Sequence, residues 1–190
     1  MAGHALRRVR PAWRTRVAFL VSGVGFAGLL WLSVLVRNDV IVVKGMSMEP
    51  LLRPGQLLVL NRTAYRTLDL EGPRRGDVVV FRHVERGYNN EYLVKRVIGL
   101  PGELVQVDAG RVFINGTQLN EPYVLAADDY SYPLQGGPAR VPEDAYFVLG
   151  DNRPASADSH LGWFVRATDL LGQAWPLPLL LPPMPEPTSA

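Results

Sequence analysis

Two residues have types and settings that could do chemistry together. They are Ser47, in Val43-Lys44-Gly45-Met46-Ser47-Met48-Glu49-Pro50, and Lys95, forty-eight positions on in Leu93-Val94-Lys95-Arg96-Val97-Ile98. A serine hydroxyl is inert near neutral pH unless a base takes its proton. A lysine in an apolar, β-branched run is such a base when burial strips its ammonium of water; otherwise it points that ammonium to solvent from the outer face of a strand. Free lysine titrates at about 10.4, so neighbours such as Leu93, Val94, Val97 and Phe81 must bring it down to about 7.4 to 8.4. Pro50 and Pro54-Gly55 bracket the exit from the nucleophile segment. That places Ser47 at a strand end or in a turn, with its backbone N–H free to bind an oxyanion. His83 is the rival base, in a Ser/His scheme whose third residue the sequence does not supply. His4, His83 and His160 share no ligand-like spacing, so no metal is implied. No phosphate loop and no basic stripe interleaved with aromatics appears in the part after residue 36, which implies neither a cofactor nor nucleic acid.

Four stretches in order carry a family resemblance: Gly45 to Pro50, Arg75-Gly76-Asp77-Val78-Val79-Val80-Phe81, Tyr92 to Glu103, and Gly150-Asp151-Asn152-Arg153-Pro154-Ala155-Ser156-Ala157-Asp158-Ser159. Together with the apolar run before them they resemble the ordered boxes of bacterial type I signal peptidases, over about residues 17 to 176. The resemblance implies a Ser/Lys endopeptidase that removes signal peptides from exported preproteins, on a signal-peptidase/LexA-like complex β-fold. It gives Ser47 the role of nucleophile and Lys95 that of base, and it matches Ser156 to a serine that hydrogen-bonds and orients the lysine. In isolation Ser156 reads as a turn-stabilising hydroxyl in a polar loop. Arg96 and Asp158 match residues thought to support the site through an ion pair, although as isolated charges they would be solvated. Gly45 stands where some members carry a hydroxyl that completes the oxyanion hole, His160 where the family has arginine, and Leu51 where threonine is frequent. Met48 and Val94, nearest the dyad in sequence, are expected to line a pocket for small side chains. The implied partners are preprotein signal peptides with small residues at −1 and −3, such as Ala-x-Ala. A self-cleaving repressor-type peptidase uses the same pair, and a catalytically inactive, membrane-tethered binding or assembly protein is the reading from a different class.

These groups need a scaffold, and the chain of 190 residues, 47% hydrophobic and 20% charged, is long enough for one modest core. It has no cysteine, which excludes disulfides, thiolate metal sites and a thiol nucleophile. The net charge of +2 hides a cluster, Arg7, Arg8, Arg10, Arg14 and Arg16, just before the uncharged run Val17 to Val36. Twenty helical residues span roughly 30 Å, the thickness of the hydrocarbon layer. Gly23-Val24-Gly25-Phe26-Ala27-Gly28 formally matches a dinucleotide fingerprint, but no strand precedes it. No Ala-x-Ala-like site follows the run, so it reads as an uncleaved anchor in membrane lipid and not as a signal peptide. The arginines then put residues 1–16 in the cytoplasm and residues 37–176 outside the bacterial cytoplasmic membrane.

Beyond the anchor the pattern is mainly β. Strands are expected at Val40 to Val43, Gln56 to Leu60, Asp77 to His83, Tyr92 to Ile98, Leu104 to Val107, Arg111 to Ile114, Ala145 to Leu149 and Leu171 to Trp175. Asn115-Gly116 signals a type I′ hairpin into Thr117-Gln118-Leu119, and Gly87 to Asn90 sets the strands on either side antiparallel. Residues 120–142 read as a short irregular insertion. The tail after Trp175, with six prolines in fifteen residues, cannot continue a sheet interior.

Overall fold

Val78-Val79-Val80-Phe81 is apolar at every position, so its strand must be covered on both faces and lie inside a sheet. The structure, a computed structural model, bears this out. It describes residues 39–65, 72–83, 91–124 and 129–176. The proposed anchor, the arginine cluster, the Gly87 to Asn90 reversal and the tail beyond Pro176 lie outside the described residues. No helix among the described residues is long and apolar enough to cross a membrane.

Eleven strands are described: β1 (Asp39–Val42), β2 (Leu57–Asn61), β3 (Val78–His83), β4 (Glu91–Gly99), β5 (Leu104–Asp108), β6 (Arg111–Ile114), β7 (Thr117–Gln118), β8 (Ala139–Arg140), β9 (Ala145–Leu149), β10 (Val165–Arg166) and β11 (Leu170–Pro176). Seven form one sheet in the order β1-β2-β11-β3-β4-β9-β10, and four form a second in the order β7-β6-β5-β8. Every recorded pairing is antiparallel.

Alternation along the strands sorts the core into three clusters. Val78 and Val80 of β3 join Met48, Leu52, Leu58 and Leu60 on one side, while Val79 and Phe81 join Val97, Tyr146 and Val148 on the other. Phe147 and Leu149 of β9 meet Val105, Val107, Val112 and Ile114 of the small sheet. Phe81 and Phe147 are within 1% of full burial, each contributing about 2 to 3 kcal/mol.

The hairpin at Asn115-Gly116 has φ of 51° and 82°, the positive pair that a type I′ turn requires. The described part of the stretch 120–142 is less irregular than its prolines and glycines imply. It supplies β8, and Tyr132 bridges to Val107 and packs 5.1 Å from the Phe147 ring. β8 and β10 are two residues each, too short for alternation to reveal them.

Candidate active site

The loop between β1 and β2 holds Ser47. Two buried side chains on either side of one turn, Met48 at 2% exposure and Leu52 at 0%, pin this loop to the core. The Leu52 N–H donates to the Met48 carbonyl at 2.9 Å, and Val43 and Gly55 close the loop's base with bonds of 2.9 and 2.8 Å. Ser47 is thus a half-buried residue on an anchored turn. Among the described residues its own N–H has no acceptor.

Lys95 comes from the middle of β4, opposite Val79 of β3. Residues two apart on a strand share a face, so Leu93 and Val97 flank it and Phe81 lies across from Leu93. These residues belong to or pack against one apolar cluster. The lysine is 3% exposed, and its Nζ lies 2.7 Å from Ser47 Oγ. Burial lowers its pKa from 10.5 to about 8, against the opposing pull of the Asp158 and Asp151 carboxylates. As an ammonium it donates to the serine; as an amine it can accept the serine's proton.

The third contributor is the turn that follows β9. Gly150 N–H donates to Asp158 Oδ2 at 2.9 Å, and Ser156 Oγ donates to the same oxygen at 2.5 Å. A methyl group on Gly150 would sit 2.2 Å from Ser156 Oγ and 2.4 Å from the Ser47 carbonyl oxygen. Only glycine lets this turn come so close to Ser47. Asn152 holds the loop from its backbone and its side chain: its N–H donates to the Ser47 carbonyl at 3.1 Å and its Nδ2 to the Met46 carbonyl at 3.2 Å.

Several sequence expectations change in detail. Ser156 spends its one proton on Asp158, and among the described residues the hydrogen bond of Lys95 runs to Ser47 alone. The serine's lone pairs remain its only means of facing an ammonium. Arg96 does not pair with Asp158. It makes a two-pronged bond to Asp151, at 2.8 and 2.5 Å, and a third to the Gly76 carbonyl at 2.9 Å. Asp158 is instead partnered by His160, whose Nδ1 lies 2.7 Å from Oδ1. An imidazole thus occupies the place beside this carboxylate.

Met48 is 2% exposed and packs in the core, and half-buried Val94 packs against the same cluster. Gly45 is exposed, with nothing within 4 Å of a would-be Cβ. Leu51 is 37% exposed. His83 pairs with Glu91 at the far end of the β3–β4 hairpin and stacks on Trp163 at 4.5 Å. Four strand residues, about 13 Å, separate it from the position opposite Lys95, which removes it from reach of Ser47. No cluster of His, Cys, Asp or Glu fit to hold a metal occurs among the described residues. Gly150, Asp151 and Asn152 were visible only as neighbours of Ser156 in the same box, without a role of their own.

A β scaffold that sets a serine hydroxyl against a buried lysine amine has the parts of a Ser/Lys hydrolase. Residues 13–177 match the family described as signal peptidase, peptidase S26, and the chain belongs to that family. It is 42% identical over 140 residues to "Probable signal peptidase I-2" of Synechocystis sp., covering 70% of this chain and 61% of that protein. It is 44% identical over 140 residues to signal peptidase I of Leptolyngbya laminosa, covering 69% and 66%. The chain therefore spans under two thirds of the length of either relative. A crystal structure of a signal peptidase I from Enterococcus faecalis V583 is 35% identical with a TM-score of 0.45, covering 54% of this chain and 97% of that one.

Proposed function

We propose that the protein is a membrane-anchored serine endopeptidase that removes signal peptides from exported preproteins, with Ser47 as nucleophile and Lys95 as general base. The observation that carries this reading is the 2.7 Å approach of a hydroxyl to an amine that is 3% exposed. With its pKa lowered to about 8, about a quarter of Lys95 is neutral at pH 7.5, against about one in a thousand for a free lysine.

The neutral amine takes the proton of Ser47 as Oγ bonds to the scissile carbonyl carbon. The oxyanion so formed faces the Ser47 N–H, which has no acceptor among the described residues. The C–N bond breaks as Lys95 returns the proton to the leaving amine. A water deprotonated by the same amine then hydrolyses the acyl ester. Ser156 and Asp158 fix the polar wall of this centre, with Asp158 also lending negative charge toward Lys95.

The substrate's place is suggested by the ladder of β4. β9 pairs with it only from Arg96 onward, so its edge over Glu91 to Lys95 has no strand partner on that side among the described residues. An extended peptide can add there as a strand, as β-augmentation requires. Val94, one residue along from Lys95, alternates to the other face of β4 and packs half-buried against the cluster that holds Met48, so the small residues at −1 and −3 rest on the family resemblance.

Cleavage of a preprotein by the purified full chain in detergent tests the assignment. Ser47→Ala and Lys95→Arg should both abolish cutting, since arginine stays charged, and wild-type kcat/KM should rise along one ascending limb near pH 8. More than a few per cent of activity in Lys95→Arg, or a limb near pH 6 that vanishes in His83→Ala, would overturn it. An inactive wild type would favour a tethered binding protein.

A further inference from the structure

Two residues outside every box of the sequence reach the turn that clamps the nucleophile. Glu121 and Tyr123 belong to the stretch expected to be an irregular insertion. Tyr123 Oη donates to Glu121 Oε1 at 2.9 Å, and the same oxygen accepts Arg153 Nη2 at 2.5 Å. The Arg153 side chain is 1% exposed, and its Nε donates to the Gly150 carbonyl at 3.0 Å. On its other side, the Tyr123 ring lies 4.1 Å beneath the guanidinium of Arg96, which grips Asp151.

The contacts close a ring. From Gly150 it passes through Arg153, Glu121, Tyr123 and Arg96 to Asp151, the residue bonded to Gly150. Its two ends hold consecutive residues of the turn. Gly150 N–H fixes Asp158, Asn152 fixes the carbonyls of Met46 and Ser47, and Arg96 adjoins Lys95. The carboxylate of Glu121 is the one acid recorded in contact with this buried arginine among the described residues. A charge kept so deep holds its place only while its counter-charge does.

We propose that Glu121 and Tyr123 are positioning residues for catalysis, setting the 150–152 turn so that Ser47 and Lys95 meet in attacking geometry. The inference rests on the Ser47/Lys95 reading. A displacement well under the size of an atom is enough to matter, because misplacing reacting groups by about 1 Å can cost about 100-fold in rate. Neither residue touches the reacting atoms. Their loss should lower kcat and leave KM within about twofold, since the β4 edge that would take substrate is built without them.

The test is kcat per titrated site on the full chain, with Ser47 counted by an acylating inhibitor so that any unfolded fraction drops out. Glu121→Gln should lower kcat per titrated site about 10- to 100-fold. Tyr123→Phe, which removes one oxygen and keeps the ring over Arg96, should lower it about 3- to 10-fold. Glu121→Asp should recover part of the loss, and Arg166→Gln, in an exposed pair with Asp169, should change nothing. If Glu121→Gln does not fold, Tyr123→Phe decides alone. Wild-type kcat per titrated site, a loss explained by fewer titratable sites, or a change confined to KM would each overturn the proposal. Activity surviving in Ser47→Ala would instead sink the dyad beneath it.

Discussion

Replacing Lys95 by methionine should make the protein more stable at neutral pH, by an amount that disappears in alkali. The lysine's pKa falls from 10.5 to about 8 on folding because burial disfavours the charged form. Below pH 8 both folded and unfolded chains carry the proton, and the folded chain bears the full cost of a buried ammonium, about 3 kcal/mol. Between pH 8 and 10.5 the unfolded chain binds a proton that the folded chain has released, so this group's contribution to stability rises with pH. Above 10.5 both states are neutral and no cost remains. Methionine fills a similar unbranched volume and does not titrate. The lost hydrogen bond to Ser47 shifts the whole comparison by a constant, but the change with pH belongs to the titration alone. Denaturant unfolding of both proteins in detergent from pH 6.5 to 10.5, followed by the fluorescence of Trp163 and Trp175, measures it. The advantage of the methionine protein should shrink by about 3 kcal/mol across that range. Stability curves that stay parallel within about 0.5 kcal/mol would show that Lys95 is not desolvated and would remove the physical basis of its role as base.

Gly150→Ala should leave the fold in place and lower kcat at least about 100-fold, because its Cβ would stand 2.4 Å from the Ser47 carbonyl and push the nucleophile off line; near-wild-type cleavage would show that the turn yields without consequence. Asp151→Asn should cost about 3 to 5 kcal/mol in denaturant unfolding, since it strands the Arg96 guanidinium, whose side chain is only 12% exposed, beside a neutral amide. A loss below about 1 kcal/mol would mean that solvent already screens the pair.

The strands that matter most to the site were legible because they are long and apolar. β3 and β4 lie within a residue or two of where alternation and turn chemistry put them, and Asn115-Gly116 turned as its φ preferences demand. An activated serine needs a base and the lysine stands in an apolar run, but it is the resemblance of the ordered boxes that makes Ser47 and Lys95 legible as a pair; what brings them within 2.7 Å is long-range sheet order. The charge partners were not legible. Arg96 had two carboxylates in one box to choose from, and which it takes depends on the register between β4 and β9, where Arg96 stands opposite Leu149, two residues before Asp151. The burial of Met48 was not legible, because nearness to Ser47 in sequence says nothing about which way a side chain points from a turn. Glu121 and Tyr123 sit among prolines and polar residues with no periodicity, and nothing local marks them as reaching Arg153 and Arg96.

β11 lies between β2 and β3, so the hairpin that carries Ser47 and the hairpin that carries Lys95 share one sheet only through the last described strand. A chain is made from its N-terminus at about 5 to 20 residues per second, so residue 176 follows Lys95 by roughly 4 to 16 seconds. Throughout that interval Ser47 and Lys95 both exist on the nascent chain, yet the sheet lacks the strand that joins their hairpins. A ribosome stalled before residue 170 would hold a polypeptide with a serine and a lysine of ordinary reactivity. On the proposed Ser47/Lys95 reading, the pair is latent during synthesis, and β11 is the strand that arms it.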